Sequence, residues 1–353
     1  MIFLFKNIKK ILIIILIFLN ISVKSQADAQ ITITDNNYKY DTTRILDLSK
    51  QLSLWGYSIK KLYSLDIVDK TTDKILMISP NDQTNIGLGF NYKWMGLGLA
   101  FRAPWAKNDD YKYGKTKRID LQLNVFSRIF GIDFSAQYYK GYYIANPTNF
   151  IPSWTDNLPY PQLNDLETVS TELSAYYFFN HKKFSYRAAF VRNEIQKKGA
   201  GSIVLGTYFR FDIASAPNSF IPNEIPPEYK DTFNVNAYLS GNYGLSFGYT
   251  YTFVFWKKFF INLSLVPGFG LKTMVAYTNT EKYKSKLGLS VRAILRSAIG
   301  YEHKYFYLGI TSISITNTFN YNNLEFAAST TKFRFFVGKR FELSKKKKIK
   351  EEL

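Results

Sequence analysis

The stretch RIDLQLNV, residues 118–125, alternates without a break. Ile119, Leu121, Leu123 and Val125 fall on one side, and Arg118, Asp120, Gln122 and Asn124 on the other. Successive side chains of a strand point to opposite faces, so the pattern predicts a β-strand with one apolar and one polar face. It recurs along the chain. NIGLGFNY sets Ile86, Leu88, Phe90 and Tyr92 against Gly87, Gly89 and Asn91, and LGLAFR sets Leu97, Leu99 and Phe101 against Gly98, Ala100 and Arg102. IDFSAQYY, TVSTELSAYYF, FSYRAAF and SIVLGTYFRFDI continue the theme through residue 213. The clearest case is YGLSFGYTYTFVF, where Tyr243, Leu245, Phe247, Tyr249, Tyr251, Phe253 and Phe255 oppose Gly, Ser and Thr. Further strands are expected near 261–265, 287–292 and 305–318, and the last is KFRFFVGKRF. Between Ile310 and Ile313 the apolar positions change phase, which predicts a bulge.

Tight turns are expected at Lys93–Met95, Arg128–Gly131, Asn180–Lys183, Trp256–Lys258 and Glu302–Lys304, with long polar connections at 103–116, 141–166, 194–200, 277–284 and 318–325. Short turns alternating with long loops predict an all-β, antiparallel, up-and-down transmembrane barrel. About thirteen segments are strand-like, and a barrel with both ends on one side needs an even number. Either 51–67 is not a full strand or the region near 232–240 hides another, giving 12 or 14 strands. The proline-rich stretch Ala214–Asp231 is expected to be an outer loop or a plug folded into the lumen.

A soluble sandwich alternates too, so the two faces decide. The polar face is rich in small residues and carries Arg102, Arg118, Arg187, Arg210, Arg292, Arg296, Arg334 and Arg340 with Asp120, Asp133, Glu172 and Asp212. Mixed charges suit a crowded lumen in which Arg–carboxylate pairs satisfy one another. The apolar face is nearly free of charge, as lipid requires, since a mid-plane Arg or Lys there costs roughly 2–4 kcal/mol. Aromatics crowd the strand ends, namely Tyr92, Trp94, Phe101, Trp105, Tyr138, Tyr142, Tyr143, Phe178, Phe179, Phe255, Trp256, Phe259 and Phe260, as interfacial girdles do. Composition agrees, with 18% aromatic residues, 27 Tyr and 30 Phe.

The first residues read as a targeting segment. Lys6, Lys9 and Lys10 precede the apolar run Ile11–Ile21, and Val23-Lys24-Ser25 fits a cleavage site, with Ala27-Asp28-Ala29 as a second candidate. An uncleaved anchor is the alternative. The expected organisation is a leader at 1–25, a periplasmic arm at 26–50, a barrel at 51–341 and a basic tail at 342–353. The formal net charge is +19, of which Lys6, Lys9, Lys10 and Lys24 belong to the leader, leaving about +15. A basic exported chain suits anionic neighbours, and nucleic acid is not expected. The expected partners are outer-membrane lipid and lipopolysaccharide, the barrel-insertion machinery and a small anionic solute.

The segments ISPNDQTNIGLGFNYKWMGLGLAF (78–101), GSIVLG (201–206) and GYTYTFVFWKKFFINLSLVPGFG (248–270) resemble the domain-of-unknown-function family 4421. The resemblance runs from about Asp41 to Phe341. It implies an exported barrel-like protein of Gram-negative bacteria, and brings no assigned activity or catalytic residue.

Little else carries chemistry. With no cysteine and two histidines there is no disulfide framework and little for metal or acid–base work. His181 and His303 fall in expected turns, so no enzyme is expected, and no cofactor or metal. The glycine repeats lack the Lys-Ser/Thr pair of a phosphate loop and read as small lumen residues. Asp109-Asp110 reads as solvated loop charge, with Ca²⁺ the alternative. The arginine-rich lumen remains. Eight Arg against four acids predicts an anion-preferring channel or binding cavity. A sealed interior packed by ion pairs, with partners held by the loops or tail, is the alternative.

Overall fold

The computed structural model describes residues 26–32 and 40–343, apart from 82–83, 94, 107–108, 218, 230–232, 234, 279–281 and 285–286. The expected leader, Trp94 of the expected girdle and residues 344–353 of the expected tail lie outside the described residues.

The alternating segments form strands. They are β1 (Gln26–Thr32), β2 (Ile45–Asp47), β3 (Leu52–Asp69), β4 (Lys74–Ser79), β5 (Thr84–Tyr92), β6 (Met95–Arg102), β7 (Lys117–Phe126), β8 (Phe130–Ile144), β9 (Gln162–Phe178), β10 (Glu194–Gln196), β11 (Ala200–Ser215), β12 (Ala237–Phe255), β13 (Phe259–Tyr277), β14 (Lys282–Lys284), β15 (Gly288–Glu302), β16 (Phe306–Tyr321) and β17 (Leu324–Phe341). The region 51–67 is thus a full strand, and the segment near 232–240 supplies the start of β12 rather than a strand of its own.

Among the described residues, ten strands close a ring in which every neighbour is antiparallel: β3, β4, β8, β9, β11, β12, β13, β15, β16 and β17. The strands β5, β6 and β7 lie outside that ring. β5 pairs with β3, and β7 with β8. Between β6 and β7 sits β1, antiparallel to the first and parallel to the second. The wall therefore has two circumferences. At the end bearing the long loops, β4 alone joins β3 to β8. At the end bearing the short turns, β5, β6, β1 and β7 take that place. The strand order expected from the sequence treats the wall as one ring, and residues 26–32, expected in an arm, are part of it.

Gly141 marks where β8 changes neighbours. Below it β8 pairs with β7 as far as Lys140, and above it Tyr143 and Ile144 pair with β4. The register against β9 shifts between Lys140 and Tyr142. Gly141 has φ +91°, and a Cβ there would lie 2.2 Å from the Lys115 carbonyl oxygen. Only glycine fits such a turn.

The outward face is apolar along the turn-end half: Leu97, Leu99, Phe209, Leu245, Phe247, Leu265, Leu295 and Phe335 are exposed. Expected girdle residues Phe101, Trp105, Phe179, Phe255, Trp256 and Phe259 are exposed as well, whereas Tyr142, Phe178 and Phe260 turn inward and are buried. The inward face also turns apolar in places, throughout the loop-end half and in the middle of β16. This explains the phase change in β16. Its pairings with β15 and β17 run without a register shift, so there is no bulge. Ile310 faces out, while Ile313 and Ile315 line the interior. The long loop expected at 318–325 is instead a tight hairpin at Asn322-Asn323, with Asn322 at φ +48°.

Candidate functional site: a charged lumen between two closures

At the loop end the lumen is filled by apolar side chains. The proline-rich segment 216–236 folds inward as a plug. Phe220, Ile221, Ile225, Phe233 and Val235 are buried against Tyr63, Leu65 and Ile67 of β3, Ile78 of β4, Met274 of β13, Phe319 of β16 and Phe326 of β17. One stretch of chain thus touches strands from opposite sides of the ring.

The turn end is closed by residues 179–199. The sequence pattern FSYRAAF reads as a strand, but Tyr186–Phe190 is a short helix. The Ser185 hydroxyl accepts from the Ala188 amide at 3.0 Å and caps it, and two alanines favour the helix. Phe184, Tyr186 and Val191 pack on Phe126, Phe178, Val266 and Ile294 of the wall. The Asn91 amide donates to the Val191 carbonyl at 3.0 Å. Arg340 donates to the Arg192 carbonyl at 2.7 Å and to Glu302 at 2.7 Å. The Arg192 guanidinium lies 4.2 Å from the Phe336 ring centre, and burial holds its pKa down to about 10.

Glu194 is the centre of this closure. It is fully buried in β10, which pairs with β2. Arg128 meets it at 2.7 Å and Arg187 at 3.1 Å, while Ser185 donates to its other oxygen. Arg128 also reaches Asp47 at 2.8 Å. Burial raises the Asp47 pKa, but hydrogen bonds from Ser49 and the charges of Arg187 and Arg128 more than offset it, leaving a lowered value. Arg187, expected on a lumen strand, is therefore part of this latch.

Between the closures lies the charged interior. Arg210 is held by Asp212 at 2.7 Å and Glu172 at 3.0 Å. Arg292 shares Glu172 and donates to Ser174 at 2.9 Å. Arg296 pairs with Asp133 and donates to the Tyr186 hydroxyl at 2.7 Å, joining the wall to the turn-end closure. Asp120 pairs with Lys61 and accepts from Gln122 at 3.1 Å and Tyr139 at 3.1 Å. Arg118 sits on the same face of β7 as Asp120, and Arg334 lies over the Tyr57 ring at 5.1 Å.

Two other expected lumen arginines lie elsewhere. Arg102 is exposed on the rim, bound to the Ala106 carbonyl at 2.9 Å, and Arg340 belongs to the turn-end closure. In their place Lys61, Lys272 and Lys332 enter the interior. Lysine was expected in loops and turns. Lys61 was nevertheless legible, since it shares the parity of Trp55, Tyr57 and Ile59. The wall thus presents Lys61, Arg118, Arg210, Lys272, Arg292, Arg296, Lys332 and Arg334 against Asp120, Asp133, Glu172 and Asp212. A cavity of about 70 Å³ lies among Gln122, Asn124, Asp133, Glu172, Arg296, Lys332 and Arg334. That is room for several waters, at roughly 10–15 Å³ each on this measure.

Large inward rings lie over glycines of the next strand. A Cβ on Gly89 would come 2.5 Å from Trp55, one on Gly87 2.5 Å from Tyr57, and one on Gly244 2.7 Å from Tyr208. The glycine repeats are therefore lumen floor, as their composition suggests.

The remaining candidates have local roles. His181 is within 2.9 Å of the Phe178 carbonyl in the turn-end segment. Asp109 caps the helix Asp110–Tyr113 through the Lys112 amide at 2.8 Å. No group of three or more His, Cys, Asp or Glu among the described residues is placed to hold a metal ion.

A closed antiparallel wall, apolar outside and charged within, is a β-barrel of outer-membrane type. The chain belongs to the family described as Domain of unknown function (DUF4421), whose model matches residues 39–341. Solved structures with a related course include the outer-membrane protease OmpT from Escherichia coli, at 7% identity and TM-score 0.38, covering 85% of this chain and 100% of that one. The translocator domain of autotransporter NalP from Neisseria meningitidis follows, at 8% identity and TM-score 0.33, covering 82% and 88%. The P. putida toluene transporter TodX matches at 8% identity and TM-score 0.21, covering 83% and 91%. No curated protein matches the chain.

Proposed function

We propose that this protein is an outer-membrane barrel of a Gram-negative bacterium that binds, and on release of its turn-end closure passes, a small anionic solute. The turn end faces the periplasm in this reading, and the leader delivers the chain there. The observation that carries it is the excess of cationic over acidic residues along the inward face of the wall, with Arg296, Lys332 and Arg334 against Asp133 and Glu172 at the cavity itself. Such a compartment favours anions. The closure at 179–199 is held by ion pairs and hydrogen bonds as well as by apolar packing, and loss of the ion pairs would loosen it. We read the barrel as non-enzymatic, since its histidines lie in turns and its lumen acids Asp120, Asp133, Glu172 and Asp212 are engaged by Lys61 and arginines.

One observation favours a second reading. Among the described residues, apolar side chains under 216–236 fill the loop end of the lumen. A sealed scaffold barrel, binding partners through loops or tail, would be built this way. Planar-bilayer recording of the refolded protein under a salt gradient separates the two. Discrete steps with an anion-selective reversal potential, reduced in Arg292→Ala/Arg296→Ala, support passage. A folded and silent barrel that also fails to bind small anions supports the sealed scaffold.

A further inference from the structure

The hairpin joining β12 to β13 is strained. The Lys258 amide donates to the Phe255 carbonyl at 3.2 Å, and the two residues between them, Trp256 and Lys257, have φ +47° and +62°. Two left-handed central residues make a type I′ turn, in which Asn-Gly is the favoured pair and bulky L-residues are disfavoured. Trp256 is 82% exposed, so packing within the chain offsets little of that strain. Backbone held this way is found where a surface binds something.

The turn begins an aromatic ladder on the outer face. Trp256 meets Phe259 at 5.8 Å between ring centres, Phe259 meets Tyr301 at 5.0 Å, and Tyr301 stacks on Phe306 at 5.4 Å. Lysines edge the ladder. Lys258 Nζ lies 5.9 Å from the Tyr301 ring centre. Lys339 is level with Phe306 and shares the outward parity of Phe335 and Val337 on β17. An ammonium on that face, at the edge of the apolar belt, belongs at the level of lipid headgroups. Lys304, in the next turn, takes Glu342 at 2.8 Å. Among the described residues, Lys257, Lys258 and Lys339 form no ion pair. At the loop end of the same strand, by contrast, Glu325 meets Lys70 at 3.2 Å.

We propose that the outer face of β13, β15, β16 and β17 at the turn end binds an anionic phospholipid. Its phosphate lies at Lys257, Lys258 and Lys339, and its glycerol and upper acyl chains lie along the ladder from Trp256 to Phe306. Aromatic rings sit at this depth of a membrane, and basic side chains beside it attract anionic lipid. The orientation is that of the function proposed above, but the test requires neither passage nor a particular orientation.

The full chain is refolded into phosphatidylcholine vesicles that contain a minor share of brominated phosphatidylglycerol or of brominated phosphatidylcholine. Bromine quenches nearby tryptophan, and subtracting the signal of Trp256→Phe isolates Trp256. Phosphatidylglycerol should quench Trp256 at least about fivefold more per lipid than phosphatidylcholine, the factor expected of one lysine beside anionic lipid. Lys257→Gln/Lys258→Gln/Lys339→Gln should lose that preference. Lys93→Gln/Lys182→Gln/Lys183→Gln, which removes equal charge elsewhere at the turn end, should keep it. Equal quenching by the two lipids overturns the proposal. So does a preference that survives the first triple substitution, or one that the second abolishes equally. Added inorganic phosphate at constant ionic strength should leave the preference unchanged; its loss would make this a site for the free ion and overturn the proposal as well. Should the first triple variant give no heat-modifiable band, Lys339→Gln alone takes its place.

Discussion

Replacing Glu194 by Gln should open the turn-end closure. The side chain keeps its shape and a hydrogen bond from Ser185, but the charge facing Arg128 and Arg187 is lost. Arg187 is 1% exposed, so water cannot take the place of the carboxylate. Breaking one side of a buried ion pair costs about 3–5 kcal/mol. Arg128 retains Asp47 at 2.8 Å, whereas Arg187 keeps the Asn193 side-chain Oδ1 at 3.2 Å as a neutral acceptor. The effect should therefore lie near the lower figure, about 3 kcal/mol, or roughly a hundredfold in the ratio of open to closed forms. Trypsin reads this directly. Arg187 and Arg192 are both buried, and cleavage after either requires residues 186–193 to leave the lumen. When opening and reclosing outpace cleavage, the rate follows the open population. Mass spectrometry of the fragments should show cleavage at these two sites about a hundredfold faster in Glu194→Gln, with the barrel still heat-modifiable on gels. Cleavage within threefold of the unmodified protein, in a folded barrel, would refute the latch.

Three further outcomes are expected. Gly89→Ala drives a Cβ to within 2.5 Å of the Trp55 ring and should cost about 1–3 kcal/mol in urea unfolding, and less when introduced into Trp55→Ala than into the unmodified protein. Leu121→Arg places a cation on the lipid face of β7 and should cost roughly 2–4 kcal/mol, read as loss of the heat-modifiable band; Gln122→Arg, on the buried inner face beside Asp120, should pass the same assay only with altered ion pairing. Asp47 has a lowered pKa, so its contribution to the latch is complete above the ordinary aspartate value and fades as pH falls through the lowered one. Channel activity should therefore rise in acid, and Asp47→Asn should show the raised activity at neutral pH and lose that acid step.

The sequence reveals the wall best where the two faces differ. In β5, β7 and β12 the outward residues are apolar and the inward ones small or charged, so parity can be read directly. It fails where both faces are apolar. Tyr63, Leu65 and Ile67 point inward toward the loop-end plug, and Ile313 and Ile315 point inward in β16, so an unbroken strand imitates a bulge. In FSYRAAF the spacing of Phe184, Tyr186, Ala188 and Phe190 imitates a strand, because nearly every residue of a plug is buried whatever its period. The ion-pair partners were half legible. Arg210, Asp212, Glu172 and Arg292 share the inward face by parity, but that Glu172 joins Arg210 to Arg292 depends on which strands lie across the lumen. The slot taken by β1 has no local signal, since seven residues rich in alanine show too little contrast to stand out from an arm.

The pairing of β3 with β17 sets the order of assembly. Leu52 pairs with Phe341 and Asp69 with Leu324, so the first long strand is closed by the last. No contact in the ring spans more of the chain, and contacts between distant residues form slowly because the intervening chain must be ordered first. Until Phe341 arrives, the polypeptide is an open sheet with two bare edges, each able to pair with any strand it meets. A chain cut short before β17 cannot close its wall however well its earlier strands pair, and a pulse-labelled nascent chain should gain resistance to heated detergent in one late step rather than strand by strand.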